Sequence, residues 1–334
     1  MINKCIVSLV LMFYVFTNLA QANSLSSIET NLIIDSVAEG SIISSNDSIG
    51  LNIYEKRLCF LDNKTPMDLS YNEKVQPFID NYLGKNRALI ERMQGLKNMY
   101  FPLFEQKLDK YNLPIEFKYL AIVESALNPK AKSPSGATGL WQFMYLTGKQ
   151  YELQVTSYMD ERQDPYKSTE AACKYFVKLY DMFGDWNLVL AAYNGGPGYL
   201  QRKINSVGSY DFWELHPYLR KETRNYIPTF IAINYVMNFS KEHDIFPLKS
   251  SVNTFKTDTV TIKSQVNITT LAEILCVNKE TINHLNPGYK KDVFPENAIL
   301  ILPDFSVVDF LDNEESNYLF ISAVDKKEIL INEE

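Results

Sequence analysis

Cysteine, histidine and long apolar runs are all scarce in this chain of 334 residues, and each scarcity closes off a class of function. There are four cysteines, Cys5, Cys59, Cys173 and Cys276, and three histidines, His216, His243 and His284. None stands at a metal-ligand spacing, so no metal and no cofactor is expected. The histidines are scattered and read as surface or capping residues. Cys59, Cys173 and Cys276 lie in three separate segments and read as buried structural thiols, with a disulfide between two of them left open. Beyond the N-terminus no stretch reaches the roughly 18 apolar residues that a membrane span needs. A basic footprint is missing as well. The formal net charge is −7, and residues 304–334 hold nine acids and two lysines, so the rest is close to neutral and nucleic acid is not an expected partner.

What is present begins with an export signature. Lys4, the apolar run Ile6 to Phe16 and the small-residue site Ala20-Gln21-Ala22 form a secretory signal peptide over residues 1–22. Cys5 precedes the apolar run, so it is not a lipoprotein cysteine. The mature chain is expected to be exported, soluble and periplasmic. Its 46% hydrophobic and 22% charged residues are ordinary globular composition.

Residues 23–71 read as a leader, loosely ordered to about residue 50. From Asn72 apolar residues recur at helical spacing: Val75, Phe78, Ile79 and Tyr82, then Leu89, Met93, Leu96 and Met99. Pro102 is expected to open a separate helix bearing Leu103, Phe104, Leu108 and Tyr111. Pro114 opens the next, which Asn128-Pro129 ends. Ser133 to Gly139 is a loop. Ser168 to Tyr180 is an amphipathic helix stopped by Gly184, Leu188 to Tyr193 is another, and Glu222 to Phe239 closes the series. After Pro247 the pattern changes. Val260–Ile262 and Ile299–Leu302 read as strands flanking two short helices, the first with a Thr270/Glu273 capping box and the second capped by Asn278. That is a βααβ module over 258–303, followed by an acidic tail over 304–334 in which Tyr318-Leu-Phe-Ile and Glu328-Ile-Leu-Ile read as two strands.

One acid stands out. Glu124 follows Tyr119, Leu120, Ile122 and Val123 with no basic residue within five positions, so a helix carries its carboxyl at the edge of an apolar wall. Desolvation disfavours the charged form, and a carboxyl that stays protonated near neutral pH suits proton donation to a leaving glycosidic oxygen.

Four motifs surround it in order: Glu124-Ser-Ala-Leu-Asn-Pro129, Gly136-Ala-Thr-Gly-Leu-Trp-Gln142, Ala191-Ala-Tyr-Asn-Gly-Gly196 and Glu222-Thr-Arg-Asn-Tyr-Ile-Pro228. Together they resemble the soluble lytic transglycosylase (SLT) family, in its membrane-bound type D branch. Asp160-Glu-Arg162, Asp164-Pro165 and Phe183-Gly-Asp-Trp186 fit that branch.

The resemblance implies a mainly α chain: a lysozyme-like helical catalytic domain over 72–246 plus a small α+β LysM-like module. It implies cleavage of the β-linkage between N-acetylmuramic acid and N-acetylglucosamine, ending in 1,6-anhydro-muramic acid. It also implies roles. Glu124 matches the single catalytic acid, while Ser133, Gln142, Met144, Tyr193, Asn194 and Tyr226 match residues lining the cleft. Peptidoglycan strands are the implied partner, with cell-wall machinery proteins besides and a monomer as the default state. The LysM-like match is degenerate, with Gln265-Val266-Asn267 where Gly-Asp-Thr is usual and Cys276 where glycine is usual.

Each cleft residue also has a plainer reading. Ser133 serves as a loop cap, Gln142 bonds loop backbone, Met144 packs in the core, Trp141 either stacks on a sugar or fills the core, Tyr193 and Tyr226 bury their rings, and Asn194 serves a turn. Glu222 reads as a cap or ion-pair partner, and the 160–164 stretch as a solvated or ion-paired loop. A hydrolase on the same scaffold, or a non-catalytic wall-binding protein, remains open on the residues alone.

Overall fold

A computed structural model describes residues 52–248 and 256–332. The expected signal peptide over 1–22 and the leader up to residue 51 lie outside the described residues.

Two hydrophobic cores organise the chain. The first runs from Leu58 to Ile245 and is built almost wholly from helices. Helix α1 (Ile53–Asp62) already belongs to it: Leu58 is fully buried, and Arg57 Nη1 donates to Tyr235 Oη at 3.0 Å. The packed body thus begins well before Asn72, because a single buried leucine and a long-range hydrogen bond leave no periodic stripe to read. Helix α2 (Gln76–Leu83) follows, then α3 (Arg87–Lys110). Pro102 does not open a helix; it lies inside α3. Tyr100, Phe101, Phe104 and Leu108 are all buried along that stretch, and their packing outweighs the one backbone hydrogen bond the proline removes.

A 3-10 turn (Ile115–Tyr119) leads into the short α4 (Leu120–Ser125), and α5 (Tyr145–Gln150) follows the loop. Helix α6 (Pro165–Phe183) is capped by Asp164, whose carboxylate accepts from Tyr166 N and Lys167 N at 2.8 and 2.9 Å, and it ends at left-handed Gly184. Next come α7 (Trp186–Gly195), α8 (Pro197–Val207), the one-turn α9 (Phe212–Leu215) and α10 (Lys221–Asn238). Helix α8 has no counterpart in the sequence pattern: Gly195-Gly-Pro-Gly198 reads locally as a stop, yet Pro197 sits at a first helical turn where its missing N–H is harmless. Helix α10 is the central post, nearly all of its length from Tyr226 to Met237 being buried against α2 and α7.

The second core gathers Val260, Ile262, Leu271, Ile282, Leu300 and Phe310. Strand β1 (Thr257–Thr261) pairs antiparallel with β4 (Ile299–Pro303), Val260 opposite Leu300, and the two-residue β2 (Val266–Asn267) pairs with β3 (Val293–Phe294). Between them lie α11 (Ile268–Leu275) and α12 (Lys279–Leu285), so the βααβ order holds. The cap of α11 is Asn267, which accepts from Thr269 N at 2.8 Å, rather than Thr270. Cys276 closes α11 at φ 50°, a left-handed conformation that favours glycine.

The tail differs from expectation. Helix α13 (Asp304–Asp312) is followed by α14 (Glu314–Asn332), which covers both runs read as strands, and Val307, Phe310 and Ile321 add the two helices to the second core. A short apolar run does not by itself separate strand from helix; here Tyr318 and Ile321, three apart, turn inward while Leu319 and Phe320 remain exposed.

The cysteines and histidines also fall differently. Only Cys173 is buried, which pushes its thiol up to about 12; Cys59 and Cys276 are exposed, and all three are free. His243 is half-buried, its Nε2 lying 2.7 Å from Tyr235 Oη and 2.9 Å from Arg57 Nη1, and His284 meets Met99 Sδ at 2.9 Å. His216 is half-buried too.

The two units meet along a short backbone seam. Asp160 N donates to Gly288 O at 2.7 Å, Lys290 N donates to Tyr158 O at 2.8 Å, and Met159 bridges Tyr289 in antiparallel fashion.

Gly139 marks the tightest backbone approach. Its φ is +90°, and a Cβ there meets Arg162 O at 1.7 Å. Gly139→Ala is therefore expected to destabilise the protein by at least about 2 kcal/mol, combining left-handed strain with a backbone clash, as read by urea unfolding. A change below about 0.5 kcal/mol would contradict this close approach.

Candidate active site

The site begins with the end of a helix. Leu120, Ala121 and Ile122 are buried and anchor α4, which leaves Glu124 half-buried near its end. The helix stops abruptly because Ala126 and Leu127 are both left-handed, at φ 51° and 56°. Ala126 N returns to Ile122 O at 2.9 Å, and Leu127 N to Ala121 O at 3.3 Å. Two successive non-glycine residues in that region are strained, and such strain concentrates at functional sites. Ser125, the residue after the acid, is tied down twice: its Oγ donates to Ala121 O at 2.9 Å and to Leu140 O at 3.0 Å. The acid is therefore fixed to the loop that follows.

That loop, 131–143, folds into a compact hairpin through bridges of Thr138 with Lys132 and with Phe143. Ser133 is buried; its Oγ accepts from Ala137 N at 2.9 Å and lies 2.9 Å from Ser135 Oγ. Gln142 is left-handed, at φ 49°, and its Nε2 donates to Gly139 O at 2.9 Å and Ala131 O at 3.2 Å. Both residues thus hold the hairpin in the structure, as the plainer readings had it. Met144, 38% exposed, is no core residue and stands at the surface just before α5. Trp141 is fully buried, with Nε1 donating to Thr169 Oγ1 at 2.9 Å, so it is core and has no face to offer a sugar.

A clamp holds the hairpin from behind. Of the two readings of this stretch the ion-paired one holds, but with Asp160, Glu161 and Arg162 buried rather than solvated. Arg162 pairs with Asp160 through Nε and Nη2 at 2.9 and 2.7 Å, while its Nη1 donates to Gly136 O at 3.0 Å and Phe143 O at 3.2 Å. Glu161 binds Gln154 N at 2.8 Å and pairs with Lys167. A planar guanidinium facing a carboxylate and two carbonyls is a rigid staple. The Asp160-Glu-Arg162 run was a signal, but only the fold shows that its charges point inward.

Two tyrosines stand beside the acid. Tyr226, buried on α10, donates its hydroxyl to Glu124 Oε1. Tyr193 on α7 donates to Trp141 O at 2.6 Å, and the Glu124 charge raises its pKa further beyond the effect of burial. Beside it, Asn194 Oδ1 is buried with no partner among the described residues, an acceptor left unsatisfied. The structure thus brings Tyr226 into contact with Glu124 and Tyr193 into its electrostatic reach. Ser133 and Gln142 bond within the hairpin.

The electrostatics follow from burial. Desolvation pushes the Glu124 carboxyl up to about 7; the Tyr226 hydrogen bond pulls it down, and the charge of Glu222, one helical turn before Tyr226, pushes it up again. At neutral pH the group is split between acid and base and can both give and take a proton.

The comparisons with known proteins point to lytic transglycosylases. Residues 102–216 match the Transglycosylase SLT domain, and residues 256–319 match the LysM-like domain of lytic transglycosylase MltD. The first match contains Glu124 but ends before Tyr226, whose place in the site rests on its contact with the acid. Membrane-bound lytic murein transglycosylase D of Escherichia coli K12 is 30% identical over 236 residues, covering 69% of this chain. The chain spans about half, 51%, of that relative's length. Soluble lytic murein transglycosylase of the same organism is 34% identical over 143 residues, covering 40% of this chain and 22% of its own. The crystal structure of the 70 kDa soluble lytic transglycosylase from Escherichia coli aligns at 26% identity with a TM-score of 0.37, covering 46% of this chain and 26% of that one.

Two measurements test the electrostatics. An unfolded glutamate titrates near 4.5 and the folded Glu124 near 7, so the native state holds an extra proton between those values and loses stability as pH rises through them. Glu124→Gln should therefore be more stable than the parent at pH 8, on the order of 2 kcal/mol, with the gap closing below pH 4. Tyr226→Phe removes a bond to the charged form, so the Glu124 carboxyl, followed by carbon NMR, should titrate higher than in the parent; a downward shift contradicts the assignment.

The chain carries a transglycosylase SLT domain followed by an MltD LysM-like domain and is a homologue of membrane-bound lytic murein transglycosylase D.

Proposed function

We propose that the protein is a peptidoglycan lytic transglycosylase, cutting the β-1,4 bond from N-acetylmuramic acid to N-acetylglucosamine without water. The observation that carries this reading is the Glu124 carboxyl poised near 7 against Tyr226. Glu124 gives its proton to the glycosidic oxygen as the bond to C1 of muramic acid breaks. The acetamido carbonyl oxygen of the same sugar closes on C1, taking up the positive charge. The muramic acid 6-hydroxyl then attacks C1, displacing the acetamido oxygen and handing its proton to the Glu124 carboxylate. The acid is regenerated, no water is consumed, and the product is a 1,6-anhydro ring. One carboxyl serves both halves because its pKa lies between the demands of each.

Hydrolases of either stereochemistry use a second carboxylate at about 5 to 9.5 Å to activate water or attack C1. Glu222 is the acid whose charge reaches Glu124, and it sits behind Tyr226 on the same helix face, four residues away. In this reading it raises the donor's pKa. Tyr226 and Tyr193 orient the acid and the cleft floor, Asn194 offers its unpartnered Oδ1 to the sugar's amide N–H, and Met144 lines the cleft mouth. Ser133 and Gln142 set the hairpin that faces the reacting sugar.

In this reading the protein works in the cell envelope, and the signal peptide expected over 1–22 supports a periplasmic location. Among the described residues no helix is long and apolar enough to cross a membrane. The LysM-like module binds glycan strands in the same proposal, and the protein works as a monomer alongside other wall-processing proteins.

Mass spectrometry of digested sacculi tests the reaction. The parent protein should release fragments ending in 1,6-anhydro-muramic acid, lighter by one water than hydrolytic ends, and Glu124→Gln should keep binding sacculi while releasing none. Reducing ends from the parent, or anhydro ends from the variant, would overturn the proposal.

A further inference from the structure

A cation without a counter-charge stands in the groove between the two units. The groove, about 380 Å³ in volume, is lined on one side by Arg92 of α3 with Asn128 and Lys130, and on the other by Glu280, Asn283 and His284 of α12. Arg92 is half-buried, and its Nε is shut off from solvent with no hydrogen-bond partner. Among the described residues neither Arg92 nor Lys130 takes part in any ion pair. Burial lowers the pKa of Arg92, and burial together with Lys130 lowers that of His284, which is therefore neutral at pH 7. Against two cations the wall sets one acid, Glu280.

Leaving a guanidinium partly desolvated and unpaired costs free energy, and an unsatisfied group of this kind implies a missing partner. The fork of arginine donors matches a carboxylate. The groove also adjoins the acid: its wall starts at Ala126, two residues after Glu124, hence within about 8 Å of chain. In peptidoglycan the sugars themselves are uncharged once the lactyl group is amidated, so the carboxylates near a cleavage point belong to the stem peptides.

We propose that this groove binds a stem-peptide carboxylate, with Arg92 as anchor, Lys130 at the rim and the amides of Asn128 and Asn283 on the peptide backbone. The proposal rests on the reading of Glu124 as the acid that cleaves peptidoglycan. It makes the junction between the units a peptide site and ties productive binding of the strand to the presence of its stems.

The test compares the full chain with Arg92→Gln and Lys130→Gln on intact sacculi and on the same glycan stripped of stems by an amidase. On sacculi the KM of Arg92→Gln should rise about tenfold with kcat unchanged, and that of Lys130→Gln by a smaller factor. On stripped glycan all three proteins should behave alike. A calorimetric titration with L-alanyl-D-glutamate should show saturable binding to the parent that Arg92→Gln abolishes. Equal losses on both substrates, or dipeptide binding unchanged by Arg92→Gln, would overturn the site. Lys130 is exposed and its replacement leaves packing intact, so that variant decides the matter if Arg92→Gln fails to fold. If the parent cleaves neither substrate, the catalytic reading falls, and the dipeptide titration decides the groove separately.

Discussion

Everything at the site depends on one carboxyl partly withdrawn from water next to a tyrosine hydroxyl. Glu124 sits at the last turn of a six-residue helix whose inner residues are buried, and Tyr226 reaches it from the central helix α10. The first contact raises the proton affinity of the acid, and the second limits the rise. A carboxyl wholly in apolar surroundings would hold its proton too tightly to return as a base, and one in water would have none to give at neutral pH. The balance between burial and a single hydrogen bond is what puts the group at about 7.

That balance demands rigidity, and the surrounding structure supplies it in layers. Ser125 pins the end of α4 to Leu140, the hairpin closes on itself through Thr138, Ser133 and Gln142, and Arg162 staples it from behind. The left-handed Ala126, Leu127 and Gln142 are the strain this arrangement stores. The staple continues outward. Asp160, which holds Arg162, also donates its backbone N–H to Gly288 of the LysM-like module. The same short segment thus faces the hairpin on one side and the second unit on the other.

Much of this was legible in the sequence. Glu124 stood out because an acid without nearby bases follows a run of apolar residues, and the long amphipathic stretch from Ser168 to Tyr180 announced α6 through its period and its Gly184 stop. The four motifs carried the family resemblance and the cleft residues it implies, and the βααβ order of the module came from β-branched runs and an Asn278 cap. The failures have physical causes of their own. Pro102 looked like a helix start because local chemistry favours it there, yet burial of Tyr100, Phe101 and Phe104 carries the helix through it. The run around Tyr318 looked like a strand because four apolar residues in a row fit either structure.

The chain by itself singled out Glu124 as the unusual acid, placed the long amphipathic helix from Ser168 and marked where the second unit begins, since those follow from spacing, caps and apolar period, all local properties. Only the tertiary structure decided which charges face inward and which side chains meet. Arg162 reads as a solvated or ion-paired loop residue until the hairpin carbonyls close over it, and Tyr226, 102 positions from Glu124, becomes the acid's partner only when α10 packs across α4. Burial and long-range contact depend on every element at once, and no local pattern encodes them.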